Sequence, residues 1–302
     1  MDIFITGGTG FLGMHLTKFL ISQGHNITIF DNFSNSDSKI FLTNDKIKII
    51  GGDILDYSKV CDSMKNMELV IHLAAQISVE DSIVNPENTM KINVRGTQNL
   101  LKSCIENKIQ NFITASSAAV FGHQSDMPLT EESSKNPISP YGKSKLMMEA
   151  KILEFSKQHK LNSIILRFFN LYGDGQSSQY AGVITKFLEN IKKNTNLEIY
   201  GTGKQTRDFI HVDDAINSFD LAIKNIHGKV GKIYNVGSGT STTILELAQL
   251  LLKISGKDLQ IILKPQLEGD IIHSQTSIKQ IISDLGFTPK ISLQKGLEQF
   301  FD

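Results

Sequence analysis

Residues 3–6 read Ile-Phe-Ile-Thr, and Gly7-Gly8-Thr9-Gly10-Phe11-Leu12-Gly13 follows at once. No other stretch of the chain restricts the fold as much. The short apolar run reads as a buried strand. Gly8, Gly10 and Gly13 satisfy G-x-G-x-x-G, and the spacing of Phe11, His15, Phe19 and Leu20 predicts a helix over 11–23, stopped by Gly24. Glycines between a strand and a helix let backbone approach a pyrophosphate closely. The helix N-terminus then adds unpaired N–H groups and a positive dipole end. A glycine motif alone is also compatible with a flexible turn. The strand before it and the helix after it favour a dinucleotide. Asp31 closes the next apolar run, near the ~20-residue offset at which an acid meets the ribose hydroxyls. A carboxylate there repels a 2′-phosphate, which favours NAD over NADP. Read alone, Asp31 also suits a turn.

Further apolar runs at 27–31, 47–50, 69–72, 112–116 and 163–168 predict strands. Helical patterns at 57–65, 86–107 and 141–158 lie among them. This alternation predicts an α/β fold, a Rossmann-type doubly wound parallel sheet covered on both faces. Beyond 168 the pattern loosens into a polar loop (173–179), helices at 181–193, 213–225 and 243–254, and a short strand at 197–200. We therefore expect an NAD-binding domain over 1–168 and a smaller α/β substrate domain over most of 169–302, with segments near 205–236 returning to the first. Asp53-Ile54 and Leu73-Ala74-Ala75 follow the third and fourth strands, where strand ends face a ligand.

Lys plus Arg and Asp plus Glu both number 31, and no charge block points to nucleic acid or membrane. Arg occurs only at 95, 167 and 207, so each is a candidate for anion recognition. Cys61 and Cys104 are too few for a disulfide framework. No apolar run is long enough to span a membrane, and the first strand starts too early to leave room for a targeting segment. The expectation is a cytoplasmic protein. No metal-ligand spacing is evident.

Tyr141-Gly-Lys-Ser-Lys145 places a phenol and an ammonium four residues apart, on one helical face. Pro140 suits the start of that helix. A free Tyr is a poor base at neutral pH, and a neighbouring Lys⁺ and a nicotinamide cation stabilise its phenolate. Tyr-x-x-x-Lys alone also describes a solvated helix face. The glycine motif, and Thr114-Ala115-Ser116-Ser117 at the end of a strand, give it catalytic weight.

At this point the chain resembles the extended short-chain dehydrogenases/reductases, in particular the nucleotide-sugar epimerases and dehydratases. The resemblance runs along essentially the whole chain through Thr6-Gly-Gly-Thr-Gly-Phe-Leu-Gly13, Asp31-Asn-Phe-Ser-Asn-Ser36, His72-Leu-Ala-Ala75, Asn93-Val-Arg-Gly-Thr97, Ser116-Ser-Ala-Ala-Val-Phe-Gly122, Tyr141-Gly-Lys-Ser-Lys145, Arg167-Phe-Phe-Asn170 and Arg207-Asp-Phe-Ile-His-Val-Asp-Asp214. It implies that Gly7, Gly10, Phe11, Leu12 and Gly13 hold the NAD pyrophosphate. Asp31, Asn32, Asn35 and Ser36 hold its adenosine ribose region, and Asp53 and Ile54 flank adenine. Leu73, Ala74, Ala75, Asn93 and Phe168 line the cofactor. Ser117, Tyr141 and Lys145 form the catalytic triad, with Ser117 and Tyr141 on the reacting sugar oxygen. Asn170, Val183, Tyr200, Arg207 and Asp270 reach the nucleotide sugar. Relatives commonly dimerise through two helices, here 86–107 and 141–158.

The family's dehydratases carry acids just after the triad Ser/Thr. Here those positions are Ala118 and Ala119. A methyl group moves no proton, so the resemblance implies hydride chemistry alone. The sugar is oxidised at C4, turns as a 4-keto intermediate and is reduced on its other face. Net 4-epimerisation of UDP-glucose/UDP-galactose or their N-acetyl analogues is the expectation, with NAD resident. A net reductase or dehydrogenase, another dehydratase, or an NAD-binding regulator without turnover are the alternatives. Two departures stand out. Phe121 replaces the usual Tyr of Val-Tyr-Gly, and Leu267 replaces the Arg of Arg-x-Gly-Asp that grips the diphosphate.

Overall fold

The computed structural model describes residues 1–35, 45–176, 182–266 and 271–301. Its first half alternates: β1 (Asp2–Thr6), α1 (Phe11–Ser22), β2 (Asn26–Asp31), β3 (Ile47–Gly51), α2 (Tyr57–Ser63), β4 (Leu69–His72), α3 (Val79–Val84), α4 (Pro86–Met90), α5 (Thr97–Glu106), β5 (Asn111–Ser117), α6 (Pro140–His159), β6 (Asn162–Phe168). The six strands read from the sequence are all present. The second half holds β7 (Asn170–Tyr172), α7 (Val183–Lys193), β8 (Leu197–Tyr200), β9 (Thr206–Arg207), β10 (Phe209–His211), α8 (Val212–Lys224), β11 (Lys232–Val236), β12 (Thr242–Thr243), α9 (Ile244–Ser255), β13 (Ile261–Lys264), α10 (Lys279–Leu285) and α11 (Leu293–Glu298).

Seven strands form one parallel sheet in the order β11-β6-β5-β4-β1-β2-β3. This is a Rossmann-type arrangement. The direction of winding reverses between β1 and β4, and there the loops leaving the strand C-termini part into a crevice. Alternation along β1 explains why the sheet needs helices on both sides. Ile3 and Ile5 join a core with Leu16 and Leu20 of α1 and Phe219 of α8. Phe4, between them, points the other way, into a core with Leu100 of α5 and Met148 and Ile152 of α6. A third core gathers Phe187 and Ile191 of α7, Ile199 of β8, Leu247 and Leu251 of α9 and Leu297 of α11.

The sequence pattern predicts one helix over 86–107, and the structure differs there. Between α4 and α5 the backbone opens into a π-helical turn at Lys91–Gly96. Such wide turns recur at functional sites. This one swings Asn93 inward, and Gly96 lies so close to Ile54 that a Cβ would come within 2.4 Å of it. Helix α3 has no apolar periodicity to betray it. Ser78 caps it by accepting the Asp81 N–H, while Ile83 and Val84 face solvent.

Candidate active site

A cavity of about 340 Å³ opens at the crevice. Gly7, Gly10, Phe11, Leu12 and Gly13 line one side, and Asp31, Asn32 and Asn35 the end beside β2. Ile54, Leu73, Ala74 and Ala75 form the floor, and Ser117, Tyr141, Lys145 and Phe168 the far end. The glycines divide by function. Gly7 has φ +70°, and a Cβ on it would lie 2.6 Å from the Ala74 nitrogen; one on Gly13 would lie 2.2 Å from the Gly7 carbonyl oxygen. Both are required by the protein itself. Gly8, the first glycine of the sequence motif, packs against Ile29 and does not line the cavity. Gly10 has an unremarkable φ of −74°, and a Cβ there would meet nothing nearer than 3.5 Å. The space in front of Gly10 is therefore room for a ligand. No side chain caps α1 at Gly10, so the first N–H groups of α1 are free for an anion. These features fit a dinucleotide pyrophosphate. Asp31 accepts the N–H of Thr9 at 3.1 Å and of Phe33 at 2.9 Å, which ties the glycine loop to the end of β2. Gly10→Ala is expected to keep stability within about 1 kcal/mol, yet weaken NAD⁺ binding on the order of tenfold, one step of ~1.4 kcal/mol. Calorimetric titration beside urea unfolding checks this, and an unaltered affinity would remove Gly10 from the pyrophosphate site.

A directed chain of hydrogen bonds braces the floor. The Thr97 hydroxyl donates to the Asn93 carbonyl at 2.6 Å, so its oxygen must accept from His72 Nε2 at 2.9 Å. His72 is thereby the Nε2–H tautomer. Its Nδ1 accepts from the Thr6 hydroxyl at 2.8 Å, and the Thr6 oxygen accepts the Ala74 N–H at 3.3 Å. Burial, with the Lys145 charge second, pushes His72 down to about 3. Below ~6.5 the unfolded chain binds a proton here that the folded chain refuses. Stability contributed by neutral His72 is thus full above pH ~6.5 and is lost as pH falls towards 3, by roughly 1.4 kcal/mol per pH unit. In urea melts at pH 7.5 and 5.5, His72→Gln is expected to lose less stability on acidification than the wild type. Equal losses would contradict the assignment.

The reactive end is assembled by β5 and α6. Ser139 caps α6 by accepting the Gly142 N–H at 3.0 Å, and Pro140 begins the helix. Tyr141 is clamped through its backbone. Its N–H donates to Ser82 Oγ at 3.1 Å, and its carbonyl accepts from Ser144 Oγ at 2.7 Å. Ser117 accepts the Ala119 N–H at 3.1 Å, which leaves its own proton to be donated. Burial raises the Tyr141 phenol, and its hydrogen bond with Ser117 pulls the other way. Lys145 donates to the Ala115 carbonyl at 3.1 Å. Burial brings it down to about 8, opposed by the charge of Glu149.

The sequence profile of the NAD dependent epimerase/dehydratase family matches residues 3–237. The chain belongs to that family. A protein named a putative UDP-glucose 4-epimerase, from Methanocaldococcus jannaschii, is 35% identical over 98% of this chain and 96% of its own length. The crystal structure of a UDP-glucose 4-epimerase from Thermotoga maritima with UDP-glucose superimposes with a TM-score of 0.94 at 32% identity, covering 100% of this chain and 98% of that one. A dTDP-glucose 4,6-dehydratase from Streptomyces venezuelae, with NAD bound, gives 0.92 at 25% identity, covering 99% and 95%. NAD is the cofactor of the family.

Several residues that the family resemblance assigns to ligands sit elsewhere. Asn93 is fully buried and does not line the cavity. Its Oδ1 accepts the Gln76 N–H, and its Nδ2 donates to the Gln76 carbonyl and to Ser144 Oγ. It therefore shapes the cavity wall and the Tyr141 turn from behind. The exposed Asp53 turns its carboxylate onto the Leu55 N–H at 2.9 Å, leaving Gly52 and Ile54 to face the cavity. Asn170 lies on β7, Val183 packs on the third core and Tyr200 is 42% exposed at the end of β8. Arg207 Nη1 donates to the carbonyls of Thr206 and Ile271. None of these four lines the cavity. Ser36, Leu267 and Asp270 lie outside the described residues. Arg167 is no anion site, because it is 2% exposed and paired with Glu149. Asp208, next to Arg207, is a structural hub that accepts the N–H groups of Ser238, Gly239 and Thr276. Among the described residues no group of His, Cys, Asp and Glu could hold a metal ion, and no helix is long and apolar enough to cross a membrane.

Proposed function

We propose that this family member is a 4-epimerase of a nucleoside-diphosphate sugar, with UDP-glucose/UDP-galactose and their N-acetyl analogues as leading pairs. The observation that carries this reading is the acid inventory of the cavity. Among the described residues that line it, Asp31 is the only carboxylate, and it sits at the β2 end, bound to Thr9 and Phe33. Ala118 and Ala119 follow Ser117 in a short 3₁₀ turn. An elimination of water needs a placed acid, and none accompanies the triad.

The remaining groups suffice for hydride exchange at C4. Ser117 donates to the C4 oxygen and orients it. Tyr141 takes the hydroxyl proton and later returns it. Lys145, as an ammonium, favours the phenolate. Bound NAD⁺ would supply a reversible hydride acceptor for C4. Gly7 lets the glycine loop lie against Ala74, and Gly13 lets helix α1 pack onto that loop. Arg207 remains a proposed diphosphate contact. Exposed Met147 and Leu153 on α6 are in keeping with pairing of two copies through this helix, and we propose a homodimer.

Purified protein incubated with UDP-galactose, UDP-N-acetylgalactosamine or UDP-glucuronate, without added NAD⁺, tests the reading. Expected is the C4 epimer of one or more, identified by chromatography. A 4-keto-6-deoxy product or stoichiometric NADH overturns it.

A further inference from the structure

Helix α6 presents Tyr141, Lys145 and Glu149 at successive i, i+4 positions, one stripe along one face. Opposite that stripe runs the end of β5, where Ala115 and Ser116 each bond one member. Lys145 Nζ donates to the Ala115 carbonyl at 3.1 Å. Ser116 Oγ donates to Glu149 Oε1 at 2.6 Å. Ser117 and Tyr141 line the cavity together. Glu149, the member outside the cavity lining, is 2% exposed. Arg167 of β6 grips it with two bonds, Nε to Oε1 at 2.8 Å and Nη2 to Oε2 at 2.7 Å. Ser116 itself lines the cavity.

We propose that Glu149 is a positioning residue of the reaction: locked by Arg167, its carboxylate anchors Ser116 in the cavity wall beside Ser117 and holds the charge of Lys145 one helical turn away. The inference rests on the Ser117–Tyr141–Lys145 reading. The same carboxylate that pairs with Arg167 also holds Ser116, a residue of the cavity lining, and it shares the helical face of the Lys145 ammonium. The charged surroundings of Lys145 are few. Tyr141 and Glu149 share its helix, Arg167 faces from β6, and His72 from β4 is neutral. Buried Cys104 of α5, whose thiol burial pushes up, is neutral too. Glu80 and Asp81 on α3 and Glu87 on α4 are exposed, as are Lys91 and Arg95 on the π turn and Lys102 and Glu106 on α5. Burial drives Lys145 towards its neutral form, and Glu149 opposes that.

The test uses the NAD-loaded protein with UDP-galactose as probe, plus a readout independent of turnover. That readout is the pH dependence of Lys145 acetylation by acetic anhydride, followed by peptide mass spectrometry. In Glu149→Gln, and in Glu149→Gln/Arg167→Met, where no buried charge is left alone, the labelling midpoint should move down by roughly one pH unit. The alkaline limb of kcat should move with it, KM staying within about twofold, and Glu149→Asp should restore both. Ser116→Ala, which deletes one hydroxyl, should lower kcat about tenfold at unchanged KM. An unmoved labelling midpoint overturns the electrostatic role, and wild-type kcat in Ser116→Ala overturns the anchoring. A wild type that labels as expected but converts no nucleotide sugar refutes the epimerase reading and leaves the Glu149–Lys145 coupling standing.

Discussion

Replacement of Tyr141 by Phe is expected to lower kcat by about 10²–10⁴-fold while leaving NAD⁺ affinity and fold nearly intact. The separation is possible because the phenol oxygen takes no part in holding the residue. The backbone of Tyr141 is held by Ser82 and Ser144, and its helix is capped by Ser139. None of these holds involves the phenol, and Ser117 keeps the Ala119 N–H as a partner. Burial raises the phenol in the isolated protein, so proton transfer depends on positive charge brought close to it. A residual rate above a tenth of wild type would show that another group takes the C4 proton. Loss of NAD⁺ binding together with rate would instead make Tyr141 a structural residue, and the clamp on its backbone speaks against that.

Much of this arrangement is legible in the chain before any coordinates. The inner strands β1 and β4 are buried along nearly their whole length, so they read as short apolar runs between turn residues, whereas the edge strand β3 carries the exposed Lys48. The glycine loop is legible because backbone contact forbids side chains at Gly7 and Gly13. Other features depend on partners distant in sequence. Strand β11 is a five-residue segment whose only sheet neighbour among the described residues is β6, about seventy residues earlier. The π turn at Lys91–Gly96 keeps a helix-like pattern on either side, and its cause is the inward pull on Asn93 from Gln76 and Ser144. Sequence motifs also report structure as readily as chemistry. Asn93, Asp208 and Arg167 belong to the strongest motif matches, and all three are buried and occupied by the protein's own groups. Glu149 left one usable signal, its place two helical turns after Tyr141 on the Tyr141–Lys145 face.

Arg167→Ala is expected to be among the most destabilising single changes in this chain, at about 3–5 kcal/mol. Its guanidinium is 2% exposed, makes both bonds to Glu149 and lies 5.2 Å from the Phe121 ring centroid. Truncation leaves the Glu149 carboxylate buried with Ser116 as its remaining bond, and removes the cation stacked on Phe121. For a chain of this size the loss corresponds to a fall of roughly 5–8 °C in unfolding midpoint. Replacing both partners, as in Glu149→Leu/Arg167→Met, removes the stranded charge. That double variant should cost less than the sum of Glu149→Leu and Arg167→Met measured singly, a coupling that two independent residues cannot produce. If Arg167→Ala costs under 1 kcal/mol, water reaches Glu149 and the pair is not sealed. The contrast also separates two demands on the same residues. If the double variant matches the wild type in stability, the fold does not need the charge, and its use lies with Ser116 and Lys145 at the front of the helix.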